Sequence, residues 1–153
     1  MIRNYLLPAL LAAGIVLSGC TKIQEPAFRR IENFRLKNIG LTSGTIGFNV
    51  TYYNPNNFGV TVKETQADVS IDSVFLGKFM QDNLTEVPPK SEFSIPISGT
   101  IPIGKVLQLD PRNLANRDIY IKAIGSTQVG KVGVYITKPF TYTGRHRLDE
   151  IKL

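Results

Sequence analysis

The residues able to do chemistry in this chain are few and lie far apart. There is one cysteine, Cys20, and one histidine, His146. A single thiol excludes a disulfide framework and a Cys-based zinc site within the chain. His146 stands between Arg145 and Arg147, two charges that repel a metal cation. Ser91, Ser94 and Ser98 have no base placed to make them nucleophiles, and the acid pair Asp149-Glu150 has no partner base. Gly40, Gly44 and Gly47 lack the spacing of a phosphate loop, and no helix follows them. No titratable cluster converges, so the expectation is a protein without catalysis, metal or cofactor.

One polar group stands out by its setting. Ile46, Phe48, Val50 and Tyr52 alternate with Thr45, Gly47, Asn49 and Thr51, which places one apolar row on one face of a strand. The run ends in Asn54-Pro55-Asn56-Asn57, and alternation resumes at Val60 and Val62. Asn54 can bond its own backbone two residues on, Pro55 presets φ, and Asn56 or Asn57 tolerates the left-handed region. Strand, turn, strand is the expected arrangement. Asn54, Pro55 and Asn56 either form a ligand-binding turn or fix the geometry of a hairpin.

The 153 residues, 42% of them hydrophobic, suffice for one domain with a core of its own. Net charge is +6. That excess suits an anionic membrane surface or anionic ligands, and it also serves solubility alone. Lys and Arg form no run of five, which argues against nucleic acid as a partner.

The first residues read as an address. Leu6 to Leu17 is an apolar run with the length of a signal-peptide core, too short to cross a hydrocarbon layer of about 30 Å. Leu17-Ser18-Gly19-Cys20 follows and resembles the lipobox of bacterial lipoproteins. The resemblance implies a diacylglycerol on the Cys20 thiol, cleavage before it and acylation of the new N-terminus. The alternative is an ordinary signal peptide followed by an unmodified Cys20. More than one acyl chain gives stable anchoring. Thr21 occupies the position where an Asp would argue for inner-membrane retention, and no acidic run follows. The expected location is the cell envelope, at the outer membrane and facing the periplasm. The expected division is residues 1–19 signal peptide, 20–27 tether, 28–144 folded domain and 145–153 tail.

Further along, strands are expected over Ile31 to Ile39, Val74 to Met80, Phe93 to Ile101, Asp118 to Ile124 and Val132 to Gly144. Val60 and Val62 differ in parity from Ala67, Val69 and Ile71, so a β-bulge near Glu64 to Gln66 is required. Asp72-Ser73 marks a tight turn, and Gly125 to Lys131 is read as another. Pro96 cannot donate to a ladder, which predicts a sheet edge or a bulge. Asp110-Pro111 begins a short helix. The sum is an all-β fold: an antiparallel β-sandwich of about seven strands, of fibronectin III or immunoglobulin type, with one short helix.

In this order the strand before Asn54-Pro55-Asn56, the strand around Phe75-Leu76-Gly77, the Pro88-Pro89 loop and the alternation from Phe93 to Ile101 resemble the WHy domain of the LEA14-like family, the group 2 late embryogenesis abundant proteins. The resemblance covers Ile31 to Thr143 and implies a seven-stranded sandwich with one helix, association with desiccation or other stress, and no catalysis. Tyr52-Tyr53 departs from the smaller or β-branched residues equally usual before the triplet. Two functions are in contention. One is a lipid-anchored protein that protects envelope components under stress. The other is an adaptor that binds an envelope protein partner through a sheet edge. An enzyme is disfavoured.

Overall fold

The computed structural model describes residues 22–114 and 116–147. Residues 1–19, Cys20 and the end of the tail from residue 148 lie outside the described residues. Among those described, the chain forms β1 (Ala27–Ile39), β2 (Ser43–Tyr53), β3 (Val60–Ile71), β4 (Val74–Gln81), β5 (Thr85–Val87) and β6 (Glu92–Pro102). Two short helices follow, α1 (Ile103–Gln108) and α2 (Pro111–Leu114), and then β7 (Asp118–Lys131) and β8 (Val134–Arg147). The fold is an all-β antiparallel sandwich. It has eight strands where about seven were expected, the addition being three-residue β5, and two helical turns instead of one.

The strands form one continuous sheet in the order β1-β2-β6-β4-β3-β7-β8, with β5 paired to β3. The link between β4 and β6 holds only three pairs, Phe79 to Gln81 against Ile97 to Gly99. The sheet folds over there, and β1-β2-β6 comes to face β3-β7-β8. The inward rows are the period-two rows of the sequence. Phe93, Ile95, Ile97 and Ile101 of β6 are all buried and join Val62, Leu76, Phe79 and Val87 in the core. The outward row of β2 is polar and pairs across strands, Thr45 with Thr100 at 2.9 Å and Thr51 with Ser94 at 2.6 Å. Aromatic contacts run along the inner face of β1, β2 and β6 and reach β4 at the corner. Phe34 stacks on Phe48 at 5.3 Å, Phe48 meets Phe79 at 5.8 Å, and Tyr52 stacks on Phe93 at 5.8 Å.

The parity change in β3 is resolved as expected, by a register shift between Val62 and Glu64 that leaves Lys63 as the extra residue. Asp72 and Ser73 both take positive φ, 48° and 69°, as a two-residue hairpin turn demands. Other expectations need correction. β2 and β3 do not pair, so the Asn54 stretch is a crossover between the two halves of the sheet. Gly125 to Lys131 is not a turn. β7 runs unbroken to Lys131, and the chain reverses at Val132-Gly133. Gly125 lies so close to β3 that a Cβ there would stand 1.9 Å from the Gln66 carbonyl oxygen. The glycine serves a close backbone approach, the other common reason for one in a strand.

The domain exceeds the expected 28–144 at both ends, because Ala27 pairs with Tyr53 and Arg147 with Asp118. Pro96 lies in β6, an interior strand, opposite Asn49 of β2. Its carbonyl accepts from the Asp82 N–H at 2.9 Å, so its missing N–H points to the side where β4 has already ended. The proline stands at a local edge inside the sheet.

Phe79 is 2% exposed, and its ring lies over Gly99, where a Cβ would meet it at 2.6 Å. Phe79→Ala is therefore expected to destabilise by about 3–5 kcal/mol in denaturant unfolding. Phe75→Ala, on the same strand but 48% exposed, should cost under about 1 kcal/mol.

Candidate functional site

Two features combine unusual chemistry with a defined position, the Asn54 crossover and the space between the half-sheets. Asn54 is 3% exposed. Its Nδ2 donates to the carbonyls of Phe58 and Pro88, both at 3.0 Å. Its Oδ1 accepts from Asn56 N and Asn56 Nδ2, both at 3.0 Å. Two donors and two lone pairs are the whole capacity of a carboxamide, and all are used within the chain. The backbone adds Asn54 N to Ser91 O at 2.9 Å and Lys90 N to Asn56 O at 3.0 Å. Pro55 contributes its carbonyl, which accepts from Lys90 Nζ at 2.5 Å. A ligand-binding turn keeps polar groups for its ligand, and the Asn54 amide has none left. The triplet is a joint that pins the β2–β3 crossover to the loop before β6.

The joint also holds the incoming chain. Gln24 N donates to Asn56 Oδ1 at 2.9 Å, and Asn56 Nδ2 donates to Gln24 O at 2.8 Å. The expected tether is thus bound to the domain from Gln24 onward.

Between the half-sheets lies a cavity of about 190 Å³. Inward side chains of seven strands line it: Phe28, Ile31 and Phe34 of β1, the β2 row from Ile46 to Tyr52, and facing them Ala67, Val69, Ile121, Ala123 and Phe140. Thr65 is the one aliphatic hydroxyl, and it is engaged with Thr127 at 3.0 Å. Ala67 and Ala123 are the smallest side chains in that lining. β1 and β8 are the two ends of the sheet and share no ladder, so a seam runs between them. Phe28 and Tyr142 meet across that seam with ring centroids 5.9 Å apart. The Tyr142 hydroxyl is hydrogen-bonded to His146 Nε2. His146 therefore belongs to the last strand and to the seam, not to a solvated tail. Burial raises the Tyr52 phenol above the ordinary value, and charge on Tyr142 adds to the effect. Burial alone raises Tyr142.

The other chemistry-bearing residues are structural. Ser91 Oγ donates to the Pro88 and Pro89 carbonyls at 3.2 Å, Ser94 pairs with Thr51, and Ser98 donates to Asp82. Among the described residues no three of His, Cys, Asp and Glu are grouped to hold a metal. Sequence reasoning identified Ala67 and Val69 as inward-facing but not the space beside them. The available signal was a pair of alanines in rows otherwise built of Val, Ile and Phe.

No family model matches the chain, and no curated protein matches it. Solved structures do. A protein from Archaeoglobus fulgidus, known from a crystal structure, aligns with TM-score 0.50 at 10% identity, over 79% of this chain and 97% of that one. The likeness is one of fold. A protein from Arabidopsis thaliana, solved in solution, aligns with TM-score 0.47 at 17% identity, over 88% of this chain and 89% of its own.

Asn54→Ala removes all four side-chain bonds, takes the side-chain donor from the Phe58 carbonyl and leaves the Pro88 carbonyl with Ser91 Oγ alone. A loss of at least about 3 kcal/mol is expected in denaturant unfolding, with Asn57→Ala, at an exposed position, near zero.

Acid acts through two aspartates. Burial opposes the Asp72 charge, but the Tyr120 N–H and the Arg117 guanidinium outweigh it and hold the carboxyl below the ordinary 3.8. Burial likewise opposes the Asp82 charge, and Lys37 and Ser98 hold that carboxyl below 3.8. The folded values are depressed, so this stabilisation is complete above the ordinary value and is lost as pH falls through the folded ones. A melting-temperature series in acid should show that loss, and Asp72→Asn with Asp82→Asn should flatten it.

Proposed function

We propose that this protein is a non-enzymatic, LEA14-like β-sandwich that protects components of the cell envelope during desiccation or related stress, anchored by lipid on Cys20. The observation that carries the reading is the Asn54 joint. The triplet that enters the LEA14-like resemblance, with the strand before it and the order of elements after it, is built into the fold through an Asn54 carboxamide whose four hydrogen-bonding positions are all used. The lipobox-like Leu17-Ser18-Gly19-Cys20 supports the anchor. The Gln24–Asn56 pair supports it further, since it ties the domain to the chain a few residues from Cys20. No helix among the described residues is long and apolar enough to cross a membrane. Thr21 favours the outer membrane and the periplasmic face.

A second reading, an adaptor that accepts a strand from an envelope protein, is favoured by the β8 edge. β1 carries three register shifts, which blunt its edge, whereas β8 pairs with β7 over its 14 residues without one. Val134 and Ile136 on that strand are 73% and 54% exposed. A photoreactive residue at Thr137 that captures no specific protein in intact cells removes this reading.

The main reading predicts a lipid-modified chain beginning at Cys20 in the membrane fraction. Cys20→Ala should be unprocessed or released, and a deletion strain should survive drying and osmotic shock less well than its complemented parent. Equal survival sinks the protective role. An unmodified native chain in the soluble fraction sinks the anchor.

A further inference from the structure

The cavity between the half-sheets has the features of a binding site. Its lining runs from Phe28 to Phe34 on β1 and from Ile46 to Tyr52 on β2. Six residue steps at about 3.3 Å make that roughly 20 Å, long and narrow for its 190 Å³. An apolar cavity of about 150 Å³ lined by Leu, Ile and Phe stays dry and holds benzene. Water is a poor occupant here, because it needs two to four polar partners and the Thr65 hydroxyl is already engaged. A compact ring would leave most of the slot empty, whereas a chain of methylenes matches its shape. The polar groups gather at one place, the seam, where Tyr142 is bonded to His146 and lies against Phe28. The site is thus apolar along its length and polar at its opening.

We propose that this cavity binds one fatty-acyl chain, admitted through the seam between β1 and β8, with the polar end of the ligand beside Tyr142 and His146. The Phe28–Tyr142 contact is the only aromatic pair bridging β1 and β8 among the described residues, and it is the point that must part. The position of the seam suits a membrane source. Ala27 begins β1 one residue before Phe28, and Gln24 is held on Asn56, so Cys20 is at most about 14 Å of chain from Gln24 and at most about 29 Å from Phe28. That orientation rests on the anchoring reading, whereas the cavity and its ligand class do not.

The test uses the full chain expressed in its own cells. Envelope vesicles are exposed to a diazirine-bearing straight-chain fatty acid and, separately, to a phosphatidylethanolamine carrying the same chain. After irradiation the label is mapped by mass spectrometry. Label on inward residues such as Ile31, Val69 and Ile121 is expected, and the probe that delivers it identifies a free acid or a membrane lipid as the source. Ala123→Leu fills the slot from β7 and should abolish that label while unfolding no earlier than the parent. Ala67→Val does the same from β3 should the first variant fail to fold. Label confined to outward residues such as Ile124 and its partner Thr141, or inward label that both folded variants retain, overturns the proposal. The Cys20→Ala protein is labelled in parallel. Cavity label kept by a released Cys20→Ala chain counts against a membrane source alone, cavity label in a native chain that is unmodified and soluble counts against the anchor alone, and an unlabelled cavity in an anchored chain counts against the ligand alone.

Discussion

Between Tyr53, where β2 ends, and Val60, where β3 begins, the chain leaves one half of the folded sheet and joins the other. Asn54, the first residue between them, is buried against the loop that precedes β6, and its polar groups lose water without gaining a ladder partner. Buried polar groups left unpaired cost about 1–3 kcal/mol each. Asn54 meets that constraint with a single side chain, bonding backward to its own turn and across to Pro88. That joint ties the crossover to the loop before β6, and β6 itself is laid against β2 by an unbroken ladder from Ser43 to Tyr53. β6 then supplies the buried row on which the rest of the core packs.

With the halves fixed in this way, the interior cannot close completely. The sheet turns its corner through three pairs, and opposite that corner β1 and β8 approach without bonding. Large side chains fill the corner, where Phe48, Phe79 and Gly99 interlock. On the β3–β7 side the inward residues shrink to Ala67, beside Phe79, and Ala123, beside Tyr142, and packing gives way to open volume. A larger residue at either alanine would be an obvious gain in stability. The small residues there set the shape of the cavity, and the raised phenols of Tyr52 and Tyr142 mark how dry its surroundings are.

Much of this was legible in the sequence. Alternation in β2 and β6 identified the inward rows, the change of parity in β3 demanded the bulge found at Lys63, and Asp72-Ser73 had the residues of a tight turn. What alternation reports is which face a residue occupies, never which strand lies beside it. Asn-Pro-Asn has the same local chemistry in a hairpin and in a crossover, so the partner of β2 was misassigned. Gly125 could be a turn or a close approach, and only the position of Gln66 decides between them. Pro96 was placed at an edge on sound grounds, but the edge proved local, a consequence of where β4 stops. The cavity was not legible at all, because an empty volume belongs to the facing of two half-sheets and to no single strand. Nor was the His146–Tyr142 pair, which depends on the last strand continuing past Gly144.

The strand order also governs how the chain can come together. β6 belongs to the first half-sheet yet is made after β3, and β3 belongs to the second yet is made before β6. The two halves are interlaced along the chain. Neither is an autonomous unit, because each waits for a strand that the other's segment must first let through. Local hairpins such as β7–β8 can zip within microseconds, but the β2–β6 and β3–β7 ladders close loops of dozens of residues. Folding is therefore expected to be slow and all-or-none, and no single cut between strands releases a half that stands by itself.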